Sequence, residues 1–275
     1  MIKVRWTGAA GIEFVTDQGV FFIDPYLSRL SKFQVLFQKV SPNTHVIDRY
    51  IESLKSKLSV IIVGHTHLDH ALDVPYLAKA SDCKIIGSRC LESLFKMYGL
   101  KDRVSVCKGN ELIELGDNIS VTMISSVHGR VIMGRVPFPG KIDSNSKLPI
   151  KARGYRHGDV FIPKITIDGT TFMHLGSANF IESQLDGHTC DVLFMCVPGW
   201  KRKIGYTSSL LDIVKPEVII PFHFDDFSRA IPKTGKTPRL PFQDMSEFIA
   251  QIRKHAPNVK IIFPAINIGL ENELF

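Results

Sequence analysis

The 275-residue sequence lacks most of the signatures that announce a function. It contains no Gly-x-Gly-x-x-Gly, no Walker loop, no Gly-x-Ser-x-Gly elbow and no Cys-x-x-Cys. Those absences remove the dinucleotide, P-loop, serine-hydrolase and thioredoxin-like readings. No apolar run reaches membrane-spanning length, and the first residues enter a strand pattern without the basic, apolar and small-residue succession of a leader. The five cysteines (83, 90, 107, 190 and 196) have no paired spacing, and their odd number leaves at least one thiol free. A reducing compartment and a cytoplasmic location are therefore expected. No internal repeat is visible at any period.

Hydrophobic residues at 44% and charged residues at 22% are ordinary globular values. Disorder and fibrous repeats are excluded on that ground. The length suits one large α/β or layered domain over residues 1–275, with a core that needs no disulfide staples. The formal charge of +7 is unevenly spread. Residues 129–164 hold eight Lys or Arg against two acids, Lys201-Arg202-Lys203 adds three cations, and 229–239 adds four beside Asp225 and Asp226.

The most informative stretch is His65-Thr66-His67-Leu68-Asp69-His70, directly after the apolar run 58–64. A short β-branched run ended by glycine reads as a buried strand, so the six residues lie on the loop leaving its C-terminal end. Open α/β sheets bind ligands there. Imidazoles at alternate positions of an extended segment point the same way, so His65 and His67 can grip one ion while Asp69 and His70 turn toward a second.

Around that loop the pattern predicts a three-strand meander over 2–24, closed by Asp24-Pro25 because the residue before proline is held extended. Residues 27–47 carry Leu30, Phe33, Val35, Leu36 and Phe37 and read as a covering loop. A helix is expected at 46–55. Beyond the motif the pattern predicts a helix over 72–80, a strand over 83–87 and a helix over 91–98. Strands 111–114 and 119–125 follow, joined by a turn. The stretch 129–158 has three prolines and little periodicity, and loops of that length are usually functional or mobile. Strands at 160–167 and 170–175 flank Asp168-Gly169, a hairpin signal. Helices near 181–185, 208–214 and 244–254 alternate with strands 192–197, 218–222 and 259–263.

The His65-x-His67-x-Asp69-His70 loop resembles the signature of the metallo-β-lactamase-fold superfamily. Within it, the chain looks most like the branch of ascorbate-6-phosphate lactonase-like and N-acyl-phosphatidylethanolamine phospholipase D-like hydrolases. The likeness covers nearly the whole chain and includes Trp6-Thr7-Gly8-Ala9-Ala10-Gly11 followed by Phe21-Phe22-Ile23-Asp24-Pro25-Tyr26-Leu27. Family members often carry histidine where this chain has Ala9. The resemblance implies a four-layer αββα sandwich of two mixed sheets. It also implies that His128 joins His65 and His67 on a first ion, and that His223 joins Asp69 and His70 on a second. One or two divalent ions are expected, zinc first, with manganese and iron as alternatives because imidazole and carboxylate suit all three. A metal-bound hydroxide, oriented by Asp69, would cleave an ester, a lactone or a phosphodiester.

One motif departs from the family. Where relatives read Gly-Asp, with the aspartate bridging both metals, this chain has Gly176-Ser177. A neutral hydroxyl is a poor ligand. His174 and Asp186 lie nearby in sequence as substitutes, although His174 alternates with Phe172 and is equally compatible with facing outward.

The basic stretches each begin after a strand end, which places Arg130, Arg153, Arg156 and Lys201, with Ser177, as candidate substrate-binding residues. The expected substrate is small and anionic. Two alternatives stand beside it: a degenerate member that binds metal or an anion without turnover, and a nuclease of the same fold. Nucleic acid is disfavoured because aromatic interleaving is sparse. Self-association into a homo-oligomer is left open.

Overall fold

The computed structural model describes residues 2–231, 237–241 and 243–274. Part of the basic stretch 229–239, at 232–236, lies outside them. The chain opens as an antiparallel meander of β1 (Lys3–Gly8), β2 (Gly11–Thr16) and β3 (Gly19–Ile23). Then α1 (Lys32–Phe37), the short β4 (Lys39–Val40) and α2 (Thr44–Ser53) lead to β5 (Leu58–Ile62), parallel to β3. Next come α3 (Leu68–Ala71), α4 (Val74–Ala80), β6 (Lys84–Ser88), α5 (Arg89–Met97) and β7 (Val104–Cys107), with β5, β6 and β7 parallel. This first sheet has the order β1-β2-β3-β5-β6-β7.

The second half contributes β8 (Glu111–Gly116), β9 (Ile119–Ser126), β10 (Ile150–Lys151), β11 (Val160–Ile167), β12 (Thr170–Leu175), α6 (Glu182–Leu185) and β13 (Val192–Cys196). It finishes with α7 (Tyr206–Val214), β14 (Val218–Phe222), α8 (Met245–His255), β15 (Lys260–Ile261) and α9 (Glu271–Leu274). The second sheet has the order β15-β14-β13-β12-β11-β9-β8, parallel from β12 to β15 and antiparallel beyond.

Side-chain alternation explains how the layers stack. Phe21 and Ile62 face the second sheet, whereas their neighbours Phe22 and Ile61 face outward into a separate core with Ile47, Leu77, Leu91 and Phe95 of α2, α4 and α5. Strands covered on both faces read as nearly continuous apolar runs, as β3 does throughout and β5 does from Val60 to Ile62. Phe14 of β2 meets Phe172 of β12 edge-on, ring centroids 5.0 Å apart, across the inter-sheet core. Leu210 of α7 and Phe248 and Ile252 of α8 extend that core to the outer helices. The result is the expected αββα sandwich. No helix among the described residues is long and apolar enough to cross a membrane, and all five cysteines are buried and unpaired.

Several local expectations change. The helix predicted over 72–80 begins only at Val74, after a separate short helix at 68–71 in the histidine loop, and Asp73, the residue before it, turns its carboxylate away from helix capping. It accepts hydrogen bonds from the backbone N–H groups of Leu27 (2.6 Å) and Ser28 (2.8 Å) and from the Ser28 hydroxyl. β7 is an additional strand that the sequence reading missed. The segment 27–47 is not simply a covering loop: it forms α1, whose Phe33, Leu36 and Phe37 remain exposed. Asp24, expected to be extended before proline, takes a left-handed backbone with φ 48°.

Candidate metal centre

Three strand ends of the two sheets, with the turn after β9, bring the candidate residues together. Asp24 follows β3 and the His65 loop follows β5. Across the inter-sheet space, His128 follows β9 and His223 follows β14. His65, His67 and His128 form one group of donor atoms and Asp69, His70 and His223 another. Within each group the donor atoms lie within 4.8 Å of one another. Ring centroids of His65 and His128 are 4.8 Å apart, and those of His67 and His128 4.5 Å. Asp69 Oδ2 lies 3.3 Å from His223 Nε2 and 3.8 Å from His70 Nε2.

In three of these rings the nitrogen pointing away from the cluster is tied to the protein. His67 Nε2 donates to the Pro137 carbonyl at 2.9 Å, which leaves the lone pair on Nδ1. His128 Nδ1 donates to the Gly129 carbonyl at 2.7 Å, leaving Nε2. His70 Nδ1 donates to Asp24 Oδ2 at 2.7 Å, again leaving Nε2. Anchoring one ring nitrogen so that the other presents a lone pair is how proteins prepare histidine for metal. His65 Nε2 and His223 Nδ1 are buried with no hydrogen-bond partner. An orphaned buried nitrogen is costly unless something the protein itself does not supply engages it. This donor set fits one or two divalent ions.

Electrostatics agree with the geometry. Burial, then the neighbouring imidazoles, hold His65 far below the ordinary histidine range. Burial brings His67 down to about 4 and His128 to about 3. Three close rings therefore stay neutral near pH 7, as ligands must. His70 moves the other way, since Asp24 and Asp69 outweigh its burial. For Asp69 burial works upward, but His70 and His223 bring its carboxyl well below the usual range.

Sequence reasoning missed two residues here. Asp24 was read only as a strand terminator, yet it is fully buried. Its Oδ1 accepts from Gly64 N–H at 2.7 Å and its Oδ2 from His70. Its signal was its place, a carboxylate at the end of the strand paired in parallel with the motif strand. His157 stacks on His128 with centroids 5.8 Å apart and planes at 20°. Its Nδ1 donates to the carbonyl of the following glycine, as in His128-Gly129. That repeated His-Gly pair was the visible clue.

Other candidates fall elsewhere. The Ser177 hydroxyl lines the cavity above the histidines and accepts from Gly129 N–H at 2.9 Å. His174 does not face outward: it is buried, donates from Nε2 to the Ala10 carbonyl at 2.8 Å, and has Nδ1 4.0 Å from Asp24. Asp186 is exposed and belongs to neither donor group. Ala9 sits in a left-handed turn, φ 45°, with its N–H on Asp225 Oδ1. Arg130, Arg153, Arg156 and Lys201 do not line the cavity. Arg153 and Arg156 border a separate groove, where Arg156 Nη1 donates to the Pro139 carbonyl at 2.7 Å. Lys201 is paired with Glu247 and Asp244, and Arg130 is exposed. Closeness in sequence to the ligand loops therefore did not carry them into the cavity.

No family model matches the chain. Among curated proteins it is similar to a UPF0173 metal-dependent hydrolase of Archaeoglobus fulgidus, 24% identical over 82% of this chain and 84% of the relative. A UPF0173 protein of Pyrococcus furiosus is 25% identical over 86% and 89%. Among solved structures, Igni18, a metallo hydrolase from Ignicoccus hospitalis, superposes with a TM-score of 0.62 at 16% identity, over 98% of this chain and 97% of its own. The chain shares the fold of that structure, two mixed sheets face to face between outer helices. In such a fold the facing strand ends of the two sheets create one concave site, here the floor of a cavity of about 350 Å³.

Proposed function

We propose that the protein is a metal-dependent hydrolase. His65, His67 and His128 would hold one ion, and Asp69, His70 and His223 a second. The observation that carries this reading is the direction of the nitrogens: those of His67, His128 and His70 that point away from the cluster are anchored on carbonyls or a carboxylate, and His65 Nε2 is buried with no protein partner.

A divalent ion in such a seat is a Lewis acid that brings the pKa of a bound water near 7 and polarises a substrate oxygen. Asp69 stays ionised beside His70 and His223, so its carboxylate would both help hold an ion and orient a nucleophilic water. Asp24 fixes the His70 ring, and Pro137 fixes the His67 ring. Ser177 holds the backbone after His128 in place through Gly129 N–H. The bond cleaved is an ester, a lactone or a phosphodiester, and the imidazole and carboxylate set admits zinc, manganese or iron.

Elemental analysis of protein purified without added metal tests the reading. Retained divalent metal is expected. His67→Ala and His128→Ala should each lose both metal and hydrolysis, and unchanged metal content in both would overturn the assignment. Ser177, in place of a bridging carboxylate, favours a second reading as a metal-binding member without turnover. Bound metal with no activity on esters, lactones and phosphodiesters, before and after Ser177→Asp, would decide for that one.

A further inference from the structure

We infer that the substrate reaches the metal cluster with an uncharged, apolar body, rather than the anionic one suggested by the charge of the chain. The inference rests on the hydrolase reading and names what that site accepts. Above the histidines, the cavity walls are Val35 of α1, Val131, Ile132, Pro137 and Phe138 of the long loop, and Phe227 beyond His223. Among the described residues, no Lys or Arg lines it. Its one carboxylate among those residues is Asp69, which belongs to the metal seat rather than to the walls.

Along these walls, away from the metal seat on the floor, a charged group on the substrate body would lose its hydration with no protein cation to replace it. An apolar body gains from burial along its whole length. The walls are also held open in place. Phe138 has a left-handed backbone, φ 38°, a costly conformation for a bulky residue. Its neighbour's carbonyl is fixed on His67. Phe138 and Ile132 nevertheless remain 42% and 55% exposed, apolar surface at the rim that a substrate would cover. The basic groove beside it, with Lys39, Lys147, Arg153 and Arg156, lies on the other side of Phe138. In the reaction, water supplies a hydroxyl to the acyl carbon and a proton to the leaving oxygen as the carbon–oxygen bond breaks, so no further reactant is needed.

The test compares 4-nitrophenyl acetate, hexanoate and the anionic glutarate monoester on metal-loaded protein. It also measures binding of the neutral fluorophore N-phenyl-1-naphthylamine to metal-free protein. Each buried methylene should raise kcat/KM about fourfold, so hexanoate, with four more of them, should exceed acetate by roughly two orders of magnitude. Glutarate should fall below hexanoate, and Ile132→Asp, at a half-exposed position that tolerates substitution, should erase the preference and weaken fluorophore binding. Phe138→Ala should act in the same direction. A flat series, or a preference for glutarate, overturns the inference while leaving the hydrolase reading intact. If no ester is turned over, the hydrolase reading loses these substrates and the fluorophore alone decides. Saturable binding lost in Ile132→Asp supports the apolar site, and no binding overturns it.

Discussion

Asp24 Oδ2 accepts a hydrogen bond from His70 Nδ1 at 2.7 Å, joining residues 46 apart in sequence. The bond exists because β3 and β5 are parallel neighbours, which sets Asp24 beside Gly64 at the foot of the histidine loop. The left-handed backbone of Asp24 turns its carboxylate to both partners at once.

Asp24→Asn should therefore act on metal rather than on fold. Loss of the anchoring carboxylate should weaken the ion held with His70 by about ten- to a hundredfold. Competition with a chromogenic chelator measures the affinity, and circular dichroism checks the fold. Wild-type affinity in the variant would remove Asp24 from the site.

Substitutions at Ser177 should separate two roles. Ser177→Ala leaves the buried Gly129 N–H without its acceptor and should destabilise the protein by about 1–3 kcal/mol, read by urea unfolding. Ser177→Asp should increase the amount of the second ion retained through dialysis. Equal metal content in wild type and Ser177→Asp would refute the second expectation.

The metal-free protein should lose stability in acid, and the sign follows from the imidazoles. His67 and His128 have folded pKa values near 4 and 3, below the unfolded value of about 6.5. The unfolded chain therefore takes up protons first. Their contribution is intact above pH 6.5 and drains away as pH falls toward 3. Asp73 opposes this, because burial raises its carboxyl to about 6 and the folded state then binds the extra proton between roughly pH 4 and 6. Melting temperatures from pH 8 to 4 should fall in the metal-free wild type, and fall more steeply in Asp73→Asn. A flat profile in the wild type would contradict the buried neutral cluster.

Arg29 and Asp225 form a buried ion pair at 2.8 Å, and Arg29 Nε also donates to the Arg229 carbonyl. Asp225→Ala strands a buried guanidinium and should cost about 3–5 kcal/mol. The double replacement Arg29→Met with Asp225→Leu should recover part of that loss. Because Asp225 follows His223 by two residues, metal affinity should fall with stability in the single variant.

The layers and the histidine loop were legible in sequence because both rest on local pattern. The apolar run 58–64 marks a strand covered on two faces, and alternate histidines share one side of an extended segment. Asp24 was not legible as part of the site, since its partners lie 40 and 46 residues away and become neighbours only through strand order. The arginines misled for a related reason. Charge along a loop says nothing of which side each residue takes, and Arg153 follows directly on Ala152, which does line the cavity. β7 escaped because its alternation is short and half-exposed.

Pro137 and Phe138 are consecutive, one holding the His67 ring and the other bounding the space above it. Enlarging that space by altering the loop will drag the carbonyl with it, so selectivity and ion affinity are mechanically linked there. Laboratory evolution toward bulkier compounds should accordingly accumulate its changes at Val35 and Phe227, which line the cavity from outside that loop, and leave residues 137 and 138 untouched.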